Sequence, residues 1–241
     1  MRWRFSLTAV SGTILLAAAS ASAQDVFVTP IPNSPFSGSI NVERSVVQPN
    51  GSTVSFKAVE SIGRDTQGRI YYASRALSPD SSSANPQVVN IHLYDPQTRV
   101  STMLYPQKKT FQSFTVNRPP ATEPPALLYA SPAGSSLPAS QFAKEEDLGS
   151  REIEGLPLHG VRETQTIPAD DSGNGTGKEI VITDEYWYSA DLRINMVIRH
   201  NDPRTGSLTM TVNQVTRTDP DPSLFAIPDG YAPIRPGQAS R

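Results

Sequence analysis

The chain contains no cysteine among its 241 residues. This absence excludes disulfides, a cysteine nucleophile, thiolate zinc sites and a lipid-modified cysteine anchor. Histidine is nearly as scarce, because only His92, His159 and His200 are present and none belongs to an H-x-H or H-E-x-x-H cluster. We therefore expect strand-surface histidines, no metal site, and a fold that is stabilised by packing alone.

The sequence also lacks catalytic and cofactor motifs. It contains neither the G-x-S-x-G of a nucleophile elbow nor a P-loop, and the glycines at 173–177 do not lie between a strand and a helix. No catalytic residue is assigned, no cofactor is expected, and a non-catalytic protein is favoured over an enzyme. A hydrolase with dispersed carboxylates stays open as an alternative, because such groups need only meet in space.

The N-terminus has the pattern of a secretory signal. Arginines at positions 2 and 4 precede an apolar stretch, Phe5 to Ala19, and Ala21-Ser22-Ala23 provides the small-x-small cleavage pattern. The apolar stretch of about 15 residues is shorter than the ~20 that a spanning helix needs. We expect residues 1–23 to be a signal peptide and the mature chain, from Gln24, to be periplasmic or secreted without an integral membrane segment.

The charge of the chain is scattered and slightly acidic, with 21 Lys and Arg against 23 Asp and Glu. Loss of the two leader arginines would move the formal net charge from −2 to −4, and no basic patch remains that could bind nucleic acid. Nucleic acid is therefore not expected as a partner. The partners that the sequence leaves open are an apolar small molecule and an envelope protein.

Apolar residues recur mainly with period two, which predicts antiparallel strands. An extended segment with three prolines occupies 24–37, a single β-rich domain is expected over 38–235, and 236–241 is a tail. Within the domain, the Pro-rich stretch 117–140 predicts a crossover or linker, and 141–149 predicts one short helix that ends at Gly149. The strands are expected at about 38–47, 52–62, 68–76, 87–94, 99–105, 109–116, 151–156, 158–167, 178–188, 192–200 and 207–217.

The strands at about 192–200 and 207–217 are predicted to form a hairpin with one buried face. The connection Asp202-Pro203-Arg204-Thr205-Gly206 has proline where a type I turn accepts it and glycine where a left-handed residue is needed. Alternation places matching apolar rows on the two strands. These rows are Leu192, Ile194, Met196 and Ile198 on one strand, and Leu208, Met210 and Val212 on the other.

The densest chemical feature is Glu185-Tyr186-Trp187-Tyr188. Large aromatic residues with polar tips are frequent at ligand clefts and interfaces, and they are also frequent in cores. Because side chains alternate along a strand, Trp187 is expected on the face opposite Tyr186 and Tyr188. All three are candidate ligand-binding residues, and the alternative is that Trp187 anchors the core while the tyrosines lie on a second surface.

The closing run Asp219 to Tyr231, DPDPSLFAIPDGY, resembles the ending D-x-x-L-F-x-x-P-x-G-[YF] of secreted domains related to the LolA/LolB lipoprotein-carrier superfamily. The resemblance covers about 150–231 and also includes Tyr186-Trp187-Tyr188-Ser189, Arg199-His200 and Asp202-Pro203-Arg204. It implies a mainly β fold, with a curved antiparallel sheet that forms an incomplete barrel and few short helices. It also implies an apolar ligand, such as an acyl chain or a lipoprotein, on the concave side.

These patterns together favour a non-catalytic exported binding module for an apolar ligand. Two alternatives stay open: an envelope protein-protein interaction or sensory domain, and the hydrolase with dispersed carboxylates. The resemblance transfers no functional residue to this chain, and the helices that cover the cavity in the carriers have no clear counterpart here.

Overall fold

The computed structural model describes residues 28–79, 86–116, 142–170 and 177–234. The expected signal peptide, the Pro-rich stretch 117–140 and the tail 236–241 lie outside these described residues. Strands dominate the described chain, together with one 3₁₀ helix, Pro222–Phe225. The strands are β1 (Phe36–Val47), β2 (Thr53–Arg64), β3 (Ile70–Arg75), β4 (Ser78–Pro79), β5 (Val88–Asp95), β6 (Val100–Tyr105), β7 (Thr110–Thr115), β8 (Ala143–Ile153), β9 (Leu156–Ile167), β10 (Ile180–Ser189), β11 (Ile194–Asp202), β12 (Gly206–Thr216) and β13 (Ala232–Pro233).

All of these strands belong to one 13-stranded sheet in the order β13-β7-β6-β5-β3-β2-β1-β12-β11-β10-β9-β8, with β4 beside β2. Neighbouring strands pair antiparallel, except that β13 runs parallel to β7. Because β13 and β8 do not pair, the sheet stays open. The expected fold class, a curved antiparallel sheet that forms an incomplete barrel with few short helices, is confirmed.

Ten of the eleven predicted strands are present. The strand predicted at 151–156 is wrong, because Glu154 and Gly155 form the turn between β8 and β9, and the predicted helix at 141–149 is also wrong. This segment forms most of β8, which pairs with β9 at the edge of the sheet. Its sequence lacks the apolar stripe at i, i+3 and i+4 that would stabilise a helix against a core, so pairing with β9 decides its conformation. Gly149 has φ +74° at an irregularity in the register of this pair and is not a helix cap.

The hairpin between β11 and β12 is confirmed. Asp202 pairs with Gly206, and the Thr205 amide donates to the Asp202 carbonyl at 3.1 Å. The Asp202 carboxylate accepts from the Arg204 amide at 2.9 Å and thereby closes the turn. Gly206 has φ +122°, and an added Cβ would lie 2.0 Å from the carbonyl oxygen of Ser45. Only glycine fits at this position.

The apolar row predicted along β11 is interrupted by a bulge. Leu192, Ile194, Met196 and Ile198 are all buried, as predicted. Trp187 pairs with Val197, whereas Tyr188 pairs with Asn195, so β11 holds one extra residue at this point. Ile198 consequently shares a face with Tyr186, while Ile194, which pairs with Ser189, lies on the other face.

A buried arginine fixes the segment that precedes β1. The Arg64 guanidinium donates to the carbonyls of Thr29 at 2.7 Å, Ser34 at 2.8 Å and Leu192 at 3.0 Å. Burial, followed by the charge of Arg193, lowers the pKa of Arg64 to about 10. Arg64 therefore ties the start of the described chain to the end of β2 and to the turn before β11.

The closing run forms a strap between two parts of the sheet. Asp219 accepts from both the amide and the hydroxyl of Thr66, each at 2.7 Å, in the turn between β2 and β3. The Arg69 guanidinium lies over the Phe225 ring at 5.0 Å. The Ala232 amide then donates to the Lys109 carbonyl at 2.9 Å beside β7.

Candidate ligand-binding face

One face of the sheet carries a continuous apolar row across five neighbouring strands. Strand pairing places its members directly beside one another in the order Tyr186, Ile198, Met210, Val42, Ala58. Each is at most 6% exposed. We call the face that carries this row the apolar face. The row explains how residues from both halves of the sequence share one hydrophobic cluster.

The opposite face, here the polar face, carries a charged row over the same strands. Its members are paired in the order Glu185, Arg199, Thr209, Glu43, Lys57. Arg199, Glu43 and Lys57 are exposed. Along this row the sheet is amphipathic, as expected for an antiparallel sheet with one solvated face. Towards the end of β10 the polar face also buries Trp187 and Val197, which are 8% and 2% exposed.

The structure separates the aromatic candidates as alternation predicts. Tyr186 and Tyr188 lie on the apolar face, where Tyr186 is 5% exposed and Tyr188 is half-buried beside His159 and Asn195. Trp187 lies on the polar face, and the Arg151 guanidinium stacks on its ring at 3.7 Å. A ligand-binding role for these three side chains stays a prediction.

The apolar face also contains buried polar atoms without a hydrogen-bond partner. They include the Tyr94 hydroxyl, the Glu163 Oε1 and the Asn195 Oδ1, on residues that are 4%, 6% and 6% exposed. Strand pairing places all three residues on the same face as Tyr186. Buried polar groups in proteins are nearly always hydrogen-bonded, so a face with several unpaired ones is suited to a polar group from outside the chain.

A row of ionisable residues, here called the acidic row, crosses the apolar face next to the Tyr186 row. Glu145, Glu163, Asp184 and His200 are paired directly across β8, β9, β10 and β11. Burial, then the charges of Asp184 and Glu145, raises the pKa of Glu163 to about 7. A hydrogen bond of 2.8 Å joins His200 Nδ1 to Asp184 Oδ1, and this bond raises the pKa of the His200 imidazole.

The polar face holds a compensated ion-pair network. Glu185 accepts from Arg199 at 2.6 Å, from the Trp187 indole at 2.8 Å and from Arg162 at 3.0 Å. Burial alone would raise the pKa of Glu185, but the hydrogen bonds from Trp187, Arg162 and Arg199 lower it. A groove of about 540 Å³ runs beside this network. Because its charges are already paired within the chain, the network is best explained as a structural feature of the solvated face.

A smaller groove lies between the closing strap and the sheet. Its volume is about 300 Å³, and its apolar lining includes Ile70, Leu93, Val100, Phe225 and Ile227. This volume lies at the lower limit for small-molecule sites. The strap that resembles the superfamily ending thus packs against the sheet.

Within residues 28–79, 86–116, 142–170 and 177–234, no three or more His, Asp or Glu side chains are arranged to hold a metal ion. In the same part of the chain, no helix has the length and hydrophobicity that a bilayer crossing requires.

The acidic row was missed by sequence reasoning because its members come from four different strands. The sequence predicts a helix over 141–149, where the structure has the strand β8. One sequence pattern indicates part of the row. Glu163 lies two positions after Val161 in a strand, so alternation places this carboxyl on the same face as an apolar side chain.

No family model and no curated protein matches the chain. Several solved structures are similar to it. A LolA superfamily protein from Nitrosomonas europaea aligns over 82% of this chain and 92% of its own, with 7% identity and a TM-score of 0.31. The lipoprotein LppX of Mycobacterium tuberculosis aligns over 74% and 85%, with 13% identity and a TM-score of 0.25. LprF of Mycobacterium bovis aligns over 77% and 89%, with 15% identity and a TM-score of 0.25.

Proposed function

We propose that the chain is a non-catalytic exported binding module that holds the apolar part of a ligand against its apolar face. The observation that carries this proposal is the combination, on one face, of the Tyr186 row with buried polar atoms that lack partners. A face whose only role was to form a core would be expected to pair or omit such groups.

The ligand expected from this combination is an amphiphile. Apolar surface is favourably buried at about 25 cal/mol per Å², so an alkyl chain supplies most of the binding free energy. Each unpaired buried donor or acceptor costs about 1–3 kcal/mol, and a ligand hydroxyl, carboxyl or amine could recover part of that cost. An acyl chain or an acylated protein in the bacterial envelope is the source that the leader sequence and the superfamily resemblance favour.

Displacement of a hydrophobic fluorescent dye tests the proposal. The full chain should bind the dye, and a twelve-carbon fatty acid should displace it. We expect Tyr188→Ala and Tyr186→Ala to weaken dye binding. Tyr71→Ala is the matched control, because Tyr71 is half-buried and strand pairing places it on the other face.

Two outcomes would contradict the proposal. If the folded chain binds no dye, the apolar face is a closed core, and the envelope interaction alternative gains support. If dye is bound but both tyrosine variants behave like Tyr71→Ala, the binding site lies elsewhere on the chain. Hydrolysis of an ester substrate by the purified chain would favour the hydrolase alternative.

A further inference from the structure

In the acidic row, carboxylates outnumber cationic side chains. Three carboxylates, Glu145, Glu163 and Asp184, lie on directly paired positions of adjacent strands. Like charges opposite one another in a sheet are destabilising. On the polar face, by contrast, Glu146 pairs with Arg162, which pairs in turn with Glu185, so charges alternate across the same strands.

Within the described part of the chain, the two residues paired with Glu163 across the sheet are both acidic. His200 is joined to Asp184, at the far side of Glu163 from Glu145. Along the same row, the next cation is Arg44, which follows Leu208 two strands beyond His200. Glu163 itself is 6% exposed, and its Oε1 accepts no hydrogen bond. The row therefore contains a buried carboxylate oxygen that lacks a hydrogen-bond donor.

The acidic row lies beside the Tyr186 row on the apolar face. Asp184 and Glu163 lie two residues along their strands from Tyr186 and Val161, a distance of about 7 Å. An alkyl chain on the Tyr186 row would therefore place its polar end within reach of the carboxylates. Because the described side chains include no metal-binding arrangement, hydrogen-bond donors fit the row better than a bare metal ion.

We propose that the apolar face selects an amphiphile whose polar end is a protonated amine, which donates hydrogen bonds to Glu163 and Asp184. This inference rests on the proposed function and specifies its ligand class. An ammonium group has three donors and a positive charge, which matches the carboxylate row in both respects. A fatty acid would place a negative charge beside like charges and is expected to bind less tightly.

The experiment compares ligands that share a twelve-carbon chain and differ in their polar end. Dodecylamine, dodecanol and dodecanoate compete for the dye on the full chain at pH 8, below their micelle concentrations. Dodecylamine should displace the dye at a concentration about tenfold lower than dodecanoate, which is the factor expected for a hydrogen bond to a charged group. Dodecanol should lie between the two.

Variants then test which carboxylates cause the preference for the amine ligand. Glu163→Gln keeps the shape of the side chain and removes its charge, so it should bring the amine and carboxylate ligands to similar affinities. Glu145→Gln, on the exposed part of the row, should reduce the preference by a smaller factor. Glu146→Gln is the matched control, because Glu146 is the next residue of β8 on the opposite face. It should leave the preference unchanged.

The outcomes separate the two proposals. If wild-type chain binds no dye, the proposed function fails. If dye is bound and dodecanoate competes as well as or better than dodecylamine, the amine preference is overturned while the binding module stands. Circular dichroism confirms folding of each variant, and Asp184→Asn replaces Glu163→Gln if the latter does not fold. An unchanged preference in the folded variant would also overturn the inference.

Discussion

Glu163 should make the stability of the folded chain depend on pH near neutrality. Its carboxyl is buried, and its folded-state pKa of about 7 lies above its ordinary value of 4.5. The groups that face it are Glu145 on β8 and Asp184 on β10, with His200 of β11 behind Asp184. The folded chain therefore holds the Glu163 proton more tightly than the unfolded chain does.

The sign and size of the effect follow from proton linkage. A raised carboxyl pKa contributes stability that is fully present below pH 4.5 and is lost as the pH rises to about 7. For these two pKa values, the free energy of unfolding should fall by about 2.5 kcal/mol between pH 5 and pH 8. The raised pKa of His200 acts in the same direction, whereas the pKa of His92, lowered by burial, acts in the opposite direction.

Urea denaturation at pH 5, 6, 7 and 8 measures this dependence. In wild-type chain the midpoint should fall by about 1 M over the range, given a slope of about 2–3 kcal/mol per M. Glu163→Gln imitates the protonated carboxyl, so at pH 8 this variant should be more stable than wild type. Its urea midpoint should fall much less than that of wild type between pH 5 and pH 8. Glu146→Gln, on the polar face, should follow wild type. If the urea midpoints of wild type and Glu163→Gln fall in parallel as the pH rises, the assignment of a raised pKa to this carboxyl is refuted.

Three further substitutions test the packing. Met210→Ala on the apolar face should cost about 2–5 kcal/mol in thermal or chemical unfolding, whereas Val59→Ala, 50% exposed, should change stability by less than about 0.5 kcal/mol. Arg64→Met should cost about 3 kcal/mol or more because three carbonyls lose their donor, and proteolysis should then cut near residues 28–34. Gly206→Ala should cost more than about 2 kcal/mol in the same unfolding assay, since its Cβ would collide with Ser45; a neutral result would place the turn elsewhere.

Alternation along the sequence predicted most of the sheet. The hydrophobic period of two fixes which side chains share a face, and the Asp202 to Gly206 turn fixes the register of β11 with β12. The separation of Trp187 from Tyr186 follows from the same rule. These features are local, so a single sequence contains the information that determines them.

Features that depend on strand register were not predictable in the same way. The bulge in β11 adds one residue without any change in composition, and it moves Ile194 to the other face from Ile198. The segment 141–149 is predicted to be a short helix that ends at Gly149, and only its pairing with β9 decides that it forms a strand. The acidic row likewise depends on the register of β8 to β11, because each of its members comes from a different strand.

Gly160 shows how a paired position constrains a residue that looks unremarkable in the sequence. It lies directly opposite Trp187, and an added Cβ would come within 2.7 Å of the indole ring. Gly160→Ala should therefore displace the ring and weaken both its 2.8 Å hydrogen bond to Glu185 and its stacking with Arg151. We expect a loss of about 1–3 kcal/mol in the free energy of unfolding and a change in near-ultraviolet circular dichroism. In a Trp187→Leu background the same glycine substitution should cost much less, because the ring that causes the clash is gone. An equal cost in both backgrounds would show that Gly160 is required by its backbone and not by the space that Trp187 occupies.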